Sequence, residues 1–358
     1  MRRTAYFIAA LAVFFISCSS PEASGTPDRV LDVGEIDPRI IAEDGYSHSM
    51  KTEAEPFLDS IRTEGYLTAN GHRIHYAYYD IEEEKGSVVI FHGLAEFIPK
   101  YNEAIYYLVS SGYDVYMPEH FGHGYSSRSK GIGESVSKIA VDSFDVYVSD
   151  AKAFIDEIVL PRSGDGKLIL FSHSLGGGIG IRFLETYPDV FDGAVLSSPM
   201  SGIVLPGIPE SLAYAIAASA AKLGFGSSFV FGHHEWDGNE RFNAATSYPR
   251  YLYSFQMRLD DEHYRTCGAT WSWLYASIGA TRKMLDPDEA ARIRVPVLLM
   301  QADDDTLVRN DSHYRLASMC SNIEIVLCPG SKHEIFLSED AVVSAYWDEV
   351  IGFMDGIE

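Results

Sequence analysis

Ser174 has the surroundings of a catalytic nucleophile. It lies in the segment Phe171-Ser172-His173-Ser174-Leu175-Gly176-Gly177, after an apolar run over 167–170 and before a helix-forming stretch. A strand, a sharp turn and a helix would hold the serine backbone in a strained conformation that projects Oγ above the sheet edge. Small residues two positions before and after the serine let strand and helix approach closely. The pattern predicts acyl-transfer chemistry at Ser174, although a serine- and glycine-rich turn without chemistry fits the same residues.

Three adjacent aspartates are candidates for the acid of such a site. Asp303, Asp304 and Asp305 follow an apolar run over 295–301 that predicts a buried strand. Open α/β sheets place their sites at the carboxyl ends of parallel strands. The cluster also suits the first turn of a helix, where acidic side chains oppose the helix dipole. Position along the chain leaves the choice among the three open.

His333 is the candidate for the general base. A helix near 310–320 and a strand over 323–327 precede it, so we expect it in a loop over 328–334. A serine hydroxyl becomes an effective nucleophile when a base takes its proton and a third group orients that base. The order serine, acid, histidine favours this role over that of a solvated loop histidine.

The loop after an upstream strand supplies a fourth element. A buried strand is predicted over 86–91, and His92, Gly93 and Leu94 follow it directly. Backbone N–H groups in such a loop stabilise the oxyanion that forms during acyl transfer. We expect the N–H groups of Leu94 and Leu175 to be the donors, with Gly93 allowing the tight turn and His92 supporting the loop.

Five spaced motifs give most of the chain a resemblance to a known family. They are His92-Gly93-Leu94-Ala95-Glu96, Glu119-His120-Phe121-Gly122-His123-Gly124-Tyr125-Ser126, Ser172-His173-Ser174-Leu175-Gly176-Gly177, Ser197-Ser198-Pro199-Met200 and Ser331-Lys332-His333-Glu334. The sequence resembles the α/β-hydrolases, of the serine aminopeptidase S33 type, that include monoacylglycerol lipases and bacterial lysophospholipases. The resemblance implies Ser174 as nucleophile, Asp305 as acid and His333 as base. It also implies the oxyanion donors Leu94 and Leu175.

The resemblance also implies an α/β-hydrolase fold, in which a mostly parallel central sheet has helices on both faces and a helical cap is inserted. Alternating strand and helix signals run from 73 to 200 and resume at 295. We therefore expect a hydrolase core over 61–200 and 286–358 and a cap over 201–285. Aromatic residues crowd the second half of the cap, which suits an acyl chain, although they also suit the cap's own core.

The activity implied is that of a serine hydrolase that cleaves the acyl ester of a lysophospholipid or monoacylglycerol through an acyl-enzyme. A short-chain carboxylesterase, a thioesterase or a lactonase uses the same machinery, and a non-catalytic ligand-binding protein is the alternative of another class. We expect no metal and no cofactor, because the sequence contains no metal-ligand spacing and no glycine-rich phosphate loop. The polar run 233–235 is interpreted as a loop or an edge of the substrate cleft.

The N-terminal residues predict export. A charged start, an apolar run over 5–16 and Cys18 are typical of a bacterial lipoprotein signal peptide. We expect a signal peptide over 1–17, a lipidated Cys18, a flexible tether over 18–60 and a membrane-anchored enzyme on the periplasmic or outer face. An ordinary cleaved signal, which would leave a soluble periplasmic or secreted enzyme, and an uncleaved anchor helix are the alternatives.

The charge of the chain limits its partners. The formal net charge is −23, from 51 acidic and 28 basic residues. Nucleic-acid binding requires a basic face, so we expect no nucleic-acid partner. Electrostatic docking on anionic membranes is disfavoured as well, so a lipid anchor would have to supply proximity to a lipid substrate.

Overall fold

A nine-stranded sheet lies at the centre of residues 25–357, the part of the chain that the computed structural model describes. The strands of the protein are β1 Arg29–Val30, β2 Arg62–Ala69, β3 His72–Tyr79, β4 Gly86–Phe91, β5 Tyr113–Pro118, β6 Lys138–Ile139, β7 Lys167–His173, β8 Gly193–Ser197, β9 Gly268–Ala269, β10 Val297–Asp304 and β11 Ile323–Lys332. Their order across the large sheet is β1-β11-β10-β8-β7-β4-β5-β3-β2. All neighbours pair in parallel except β2 with β3 and β3 with β5.

Helices cover both faces of the sheet. The α-helices are α1 Tyr46–Ser49, α2 Glu55–Ile61, α3 Asn102–Ser110, α4 Asp145–Phe154, α5 Leu175–Thr186, α6 Glu210–Ala220, α7 Tyr248–Asp260, α8 Trp271–Met284, α9 Pro287–Ala290, α10 Asn310–Ala317 and α11 Asp340–Asp355. Short 3₁₀ turns occupy Ile98–Tyr101, Lys130–Ile132, Glu262–Tyr264 and Ile335–Leu337, and π-helical turns occupy Met50–Ala54, Ile155–Val159 and Ala221–Phe225.

The core consists of two apolar layers, one on each face of the sheet. One layer joins α4, α5 and α8 through residues such as Phe154 and Phe183, and the other joins α3 and α11 through Leu108 and Trp347. Every residue of β4, β5 and β8 is buried, as expected for parallel strands covered on both sides. The predicted fold class, a mostly parallel sheet with helices on both faces, is confirmed.

The predicted flexible tether is wrong for most of its length. Strand β1 pairs in parallel with β11, and the helical segment 46–61 packs against the core. Tyr46, Met50, Ala54 and Leu58 are at most 2% exposed. These apolar residues recur every four positions, which places them on one helical face. The polar average composition of the segment concealed this spacing.

The segment between β8 and β10 contains helices α6 to α9. Strand β9 of this segment pairs with β6 of the preceding part of the chain, which links the two. Arg250 on α7 is fully buried and donates hydrogen bonds to Glu103, Asp340 and the carbonyl of Ile41. Part of the predicted cap is therefore packed into the core and is not a separate layer.

The remaining N-terminal predictions concern residues that the structure does not describe. The signal peptide and Cys18 lie outside residues 25–357. Within residues 25–357, no helix combines the length and apolar character needed to cross a bilayer. Cys267, Cys320 and Cys328 are free thiols there, and the last two are buried.

Candidate active site

Ser174 lies in a strained turn between β7 and α5. Its φ of 51° and ψ of −116° fall in a region that L-residues rarely adopt. A side chain at Gly176 would come within 2.0 Å of the Phe91 carbonyl oxygen, so only glycine allows α5 to approach β4 this closely. At Gly180, one turn later, an added Cβ would lie 3.1 Å from the Ser172 hydroxyl, so Ser172, the small residue two positions before Ser174, faces a glycine. The predicted strand–turn–helix layout is present.

The structure brings Ser174, His333 and Asp305 into one hydrogen-bonded chain. Ser174 Oγ lies 2.8 Å from Nε2 of His333. Nδ1 of His333 lies 2.7 Å from Oδ2 of Asp305. The side chains of His333 and Asp305 are 4% and 0% exposed, so the hydrogen bond between them is shielded from water. Such an arrangement can take the serine proton at Nε2 while the carboxylate fixes the ring.

The three candidate aspartates have different surroundings. The other carboxylate oxygen of Asp305 accepts the N–H groups of Leu307 and Val308, each at 2.9 Å. Burial raises the pKa of Asp305, but its hydrogen bonds and the nearby His333 lower the pKa by more than burial raises it. The net shift is therefore downward. Asp303 instead accepts the N–H of Gly330 at 3.0 Å, and Asp304 is exposed. Only Asp305 contacts His333 among the three.

His333 follows a strand that is longer than predicted. We expected a loop over 328–334, whereas β11 continues to Lys332. A register shift between β10 and β11 after Ala302 accommodates the Pro329-Gly330 pair. The contact of Asp303 with Gly330 holds this irregular segment in the sheet. The sheet thus positions His333 directly at the end of its strand.

One predicted oxyanion donor, Leu175, directly follows Ser174, and the other, Leu94, lies in the loop after the neighbouring strand β4. Leu175 is the first residue of α5, so its N–H is one of those that a helix leaves without an intrahelical acceptor. Leu94 lies in the loop after β4, and its side chain borders the same cavity as Ser174. These two backbone groups come from the elements that flank the nucleophile, as a site of this type requires.

The carboxylate of Glu96 holds that loop in place. Its Oε2 accepts the N–H of Gly93 at 2.5 Å and lies 3.3 Å from Nδ1 of His173. Tyr101 and Lys100 donate to the same carboxylate at 2.5 and 2.9 Å. Burial raises the pKa of Glu96, but the charge of Lys100 and the hydrogen bonds from His173 and Tyr101 lower it well below its ordinary value. The carboxylate therefore stays ionised.

Three buried histidines, His92, His120 and His123, lie in or next to this loop and contact one another. His92, predicted to support it, donates from Nδ1 to the Gly93 carbonyl at 2.8 Å and accepts the N–H of His120 at Nε2, at 3.0 Å. The ring of His123 packs against that of His92 with centroids 5.1 Å apart. Burial lowers the pKa of all three rings, those of His120 and His123 well below their ordinary value. All three are neutral at pH 7.

An apolar cavity of about 550 Å³ opens at Ser174 and His333. Its walls include aliphatic residues of the 200–216 region and two cap tryptophans, namely Met200, Ile203, Leu205, Ile216, Trp271 and Trp273. Of the cap aromatics noted in the sequence, Trp271 and Trp273 face this cavity, whereas Tyr253 belongs to the core. A cavity of this volume and character suits an alkyl chain.

A family model described as serine aminopeptidase, S33, matches residues 82–340. The chain belongs to this family of hydrolases. It is 31% identical over 281 residues to lysophospholipase L2 of Escherichia coli, which covers 75% of this chain and 80% of the relative. It is 26% identical over 283 residues to a monoacylglycerol lipase of Mycolicibacterium smegmatis, which covers 78% of this chain and 92% of the relative.

Solved structures agree on the fold of this hydrolase. A monoglyceride lipase from Saccharomyces cerevisiae superposes with a TM-score of 0.67 at 18% identity, over 82% of this chain and 94% of that chain. At this identity the likeness concerns the fold. Together with the family match, it confirms the predicted resemblance to α/β-hydrolases related to lysophospholipases and monoacylglycerol lipases.

Sequence reasoning about this hydrolase missed the supporting network. Glu96 and His173 were noted only as members of motifs, and their contact joins residues 77 positions apart. His173 also lies 3.2 Å from the His333 carbonyl through Nε2. The adjacency of Glu96 to the oxyanion loop was the available signal, but its partner is visible only in three dimensions.

Proposed function

We propose that this hydrolase cleaves the acyl ester of a lysophospholipid or monoacylglycerol through an acyl-enzyme on Ser174. The observation that carries the proposal is the Ser174–His333–Asp305 chain at the mouth of the apolar cavity. The relatives named lysophospholipase and monoacylglycerol lipase support the same substrate class.

The first half-reaction forms the acyl-enzyme. Ser174 Oγ attacks the ester carbonyl carbon while Nε2 of His333 takes its proton. Asp305 holds the Nδ1–H of the ring and stabilises the imidazolium, and the N–H groups of Leu94 and Leu175 stabilise the oxyanion. The alcohol leaves when His333 returns the proton to its oxygen.

The second half-reaction releases the fatty acid. His333 takes a proton from water, which attacks the acyl carbonyl, and then returns a proton to Ser174 Oγ as the tetrahedral intermediate collapses. The alkyl chain occupies the apolar cavity during both steps, so its burial contributes binding free energy of about 0.8 kcal/mol for each methylene removed from water.

A chain-length series tests this proposal. We expect kcat/KM for p-nitrophenyl esters to rise from acetate to longer acyl chains, and palmitate to be released from 1-palmitoylglycerol or a palmitoyl lysophospholipid. The Ser174→Ala variant is the matched control. Activity confined to acetate and butyrate esters would instead identify a short-chain carboxylesterase.

We also propose that the enzyme is exported and held at a membrane through a lipidated Cys18. The charged start, the apolar run and the position of Cys18 support this proposal. An anchor would compensate for the net charge of −23 by keeping the enzyme near lipid. Fractionation tests it, because Cys18→Ala should move the protein from the membrane fraction to the soluble fraction. An unchanged distribution would contradict lipid anchoring.

A further inference from the structure

A second, polar cavity adjoins the apolar one. Its volume is about 400 Å³, and His233, Leu307 and Glu334 line both cavities. Ala95 and Glu334 border the polar cavity, and in the sequence they directly follow Leu94 and His333. An ester bound at Ser174 with its alkyl chain in the apolar cavity would therefore have the polar cavity within reach of its alcohol side.

Three cationic side chains line the polar cavity, and two of them have carboxylate partners. Lys100 lies 2.9 Å from Glu96 and 2.6 Å from Glu334, the one carboxylate that lines the cavity among the described residues. Arg241 lies 2.8 Å from Asp237. These contacts leave the third cation as the source of uncompensated positive charge.

Arg258 has no carboxylate within 4 Å in the part of the chain that the structure describes. Its Nε donates to the Tyr264 carbonyl at 3.1 Å and its Nη2 to the Thr266 carbonyl at 2.8 Å, which leaves Nη1 without an acceptor in residues 25–357. Burial lowers the pKa of Arg258, yet a guanidinium stays protonated. A partly buried charge without a counter-ion is costly, and in a chain of net charge −23 it is unusual.

We propose that the polar cavity holds the phosphate of the substrate's head group and that Arg258 binds it. The inference rests on the proposed function and makes a lysophospholipid the preferred substrate over a neutral monoacylglycerol. A guanidinium binds phosphate oxygens through charge-assisted hydrogen bonds, and its planar shape favours two at once. Leu307 and Glu334, common to both cavities, mark where the glycerol connects chain and head group.

Two substrates with the same acyl chain test the proposal. For the wild-type enzyme, the ratio of kcat/KM for 1-palmitoyl lysophosphatidylglycerol to that for 1-palmitoylglycerol should exceed one. We expect Arg258→Gln to lower this ratio at least about tenfold, the loss of one hydrogen bond to a charged group. Because both substrates meet the same enzyme, any loss of folded protein cancels in the ratio. Arg258→Lys, which keeps the charge without the planar fork, should give an intermediate ratio and carries the test if Arg258→Gln does not fold.

Arg265→Gln is the matched control. The substitution removes the same charge. Arg265 and Arg258 both face the ring of Trp236, with their guanidinium carbons 4.8 and 5.9 Å from its centroid, but Arg265 lines neither cavity. Its substitution should leave the ratio unchanged. An unchanged ratio in both Arg258 variants, or a wild-type ratio of one or less, would overturn the proposal while leaving acyl-ester hydrolysis intact.

Inorganic phosphate distinguishes a head-group site from a site for a free anion. If phosphate inhibits both substrates equally in the wild type but not in Arg258→Gln, and the wild-type ratio is near one, the site belongs to a free anion and the proposal is overturned. Absence of wild-type hydrolysis of both substrates would overturn the proposed function together with it.

Discussion

Glu96 joins the oxyanion loop to the nucleophile turn through His173, whose Nδ1 lies 3.3 Å from Glu96 Oε2. The same oxygen accepts the N–H of Gly93 at 2.5 Å. The opposite ring nitrogen of His173 lies 3.2 Å from the His333 carbonyl. One buried carboxylate thus connects the segments that carry Leu94, Ser174 and His333, the proposed oxyanion donor, nucleophile and base.

This connection predicts that Glu96→Gln impairs catalysis more than binding. Loss of the charge should loosen the Gly93–Leu94 loop, and small misplacements of catalytic groups cost up to about a hundredfold in rate. We expect kcat to fall at least about tenfold with KM little changed, measured in steady-state kinetics on a soluble ester. Tyr101→Phe, which removes one donor to Glu96 and leaves the Gly93 and His173 contacts, should have a smaller effect. Equal losses in both variants would contradict a positioning role.

The aspartate contacts predict unequal effects of two matched substitutions. Asp305→Asn should lower kcat by several orders of magnitude, since a neutral amide favours the wrong tautomer of His333. Asp303→Asn should leave kcat close to that of the wild type, because its contact is with the Gly330 backbone. Steady-state kinetics of the two variants check this. If Asp303→Asn lost activity and Asp305→Asn did not, the assignment of the acid role to Asp305 would be wrong.

The buried histidines predict acid destabilisation. The pKa of His120 is well below its ordinary value in the folded protein, so the unfolded chain takes up the proton first as the pH falls below about 6.5. Acidification therefore favours unfolding. The free energy of unfolding of wild type relative to His120→Phe should fall by about 1 kcal/mol between pH 6.5 and 5.5.

Urea unfolding at several pH values measures this difference. His48→Gln, at an exposed position, serves as the control and should follow the wild type. A free-energy difference between wild type and His120→Phe that does not change with pH would show that His120 is not buried in its neutral form.

An apolar surface beside the acyl cavity predicts a dependence on aggregated lipid. Phe231 is 82% exposed and Leu223 is 74% exposed, and Phe231 also lines the apolar cavity. An exposed apolar patch continuous with the cavity suits contact with a lipid surface. Leu223→Ser, at a position that does not line the cavity, should lower hydrolysis of 1-palmitoylglycerol in vesicles several-fold while leaving p-nitrophenyl butyrate hydrolysis unchanged. Equal losses on both substrates would contradict a surface role.

Features that depend on the order of residues along the chain could be predicted from the sequence, whereas contacts that depend on packing could not. The strand–turn–helix at Ser174 and the positions of the aspartate cluster 303–305 and His333 after successive strands are local patterns with a fixed order, and the family resemblance selected Asp305 within the cluster. The pairing of Glu96 with His173 and the isolation of Arg258 depend on residues distant in the chain, which no local pattern specifies. The buried segment 46–61 was concealed by its polar average, although its four-residue apolar spacing was readable.

Labelling and substitution at Ser174 test the central claim most directly. A serine-directed phosphonate should add one label to the enzyme, on the peptide that contains Ser174, and abolish release of palmitate from 1-palmitoylglycerol or 1-palmitoyl lysophosphatidylglycerol, whichever substrate the wild type cleaves. Ser174→Ala should take up no label and show no hydrolysis while retaining the wild-type circular dichroism spectrum. Palmitate release by a folded Ser174→Ala enzyme at the wild-type rate would contradict the account.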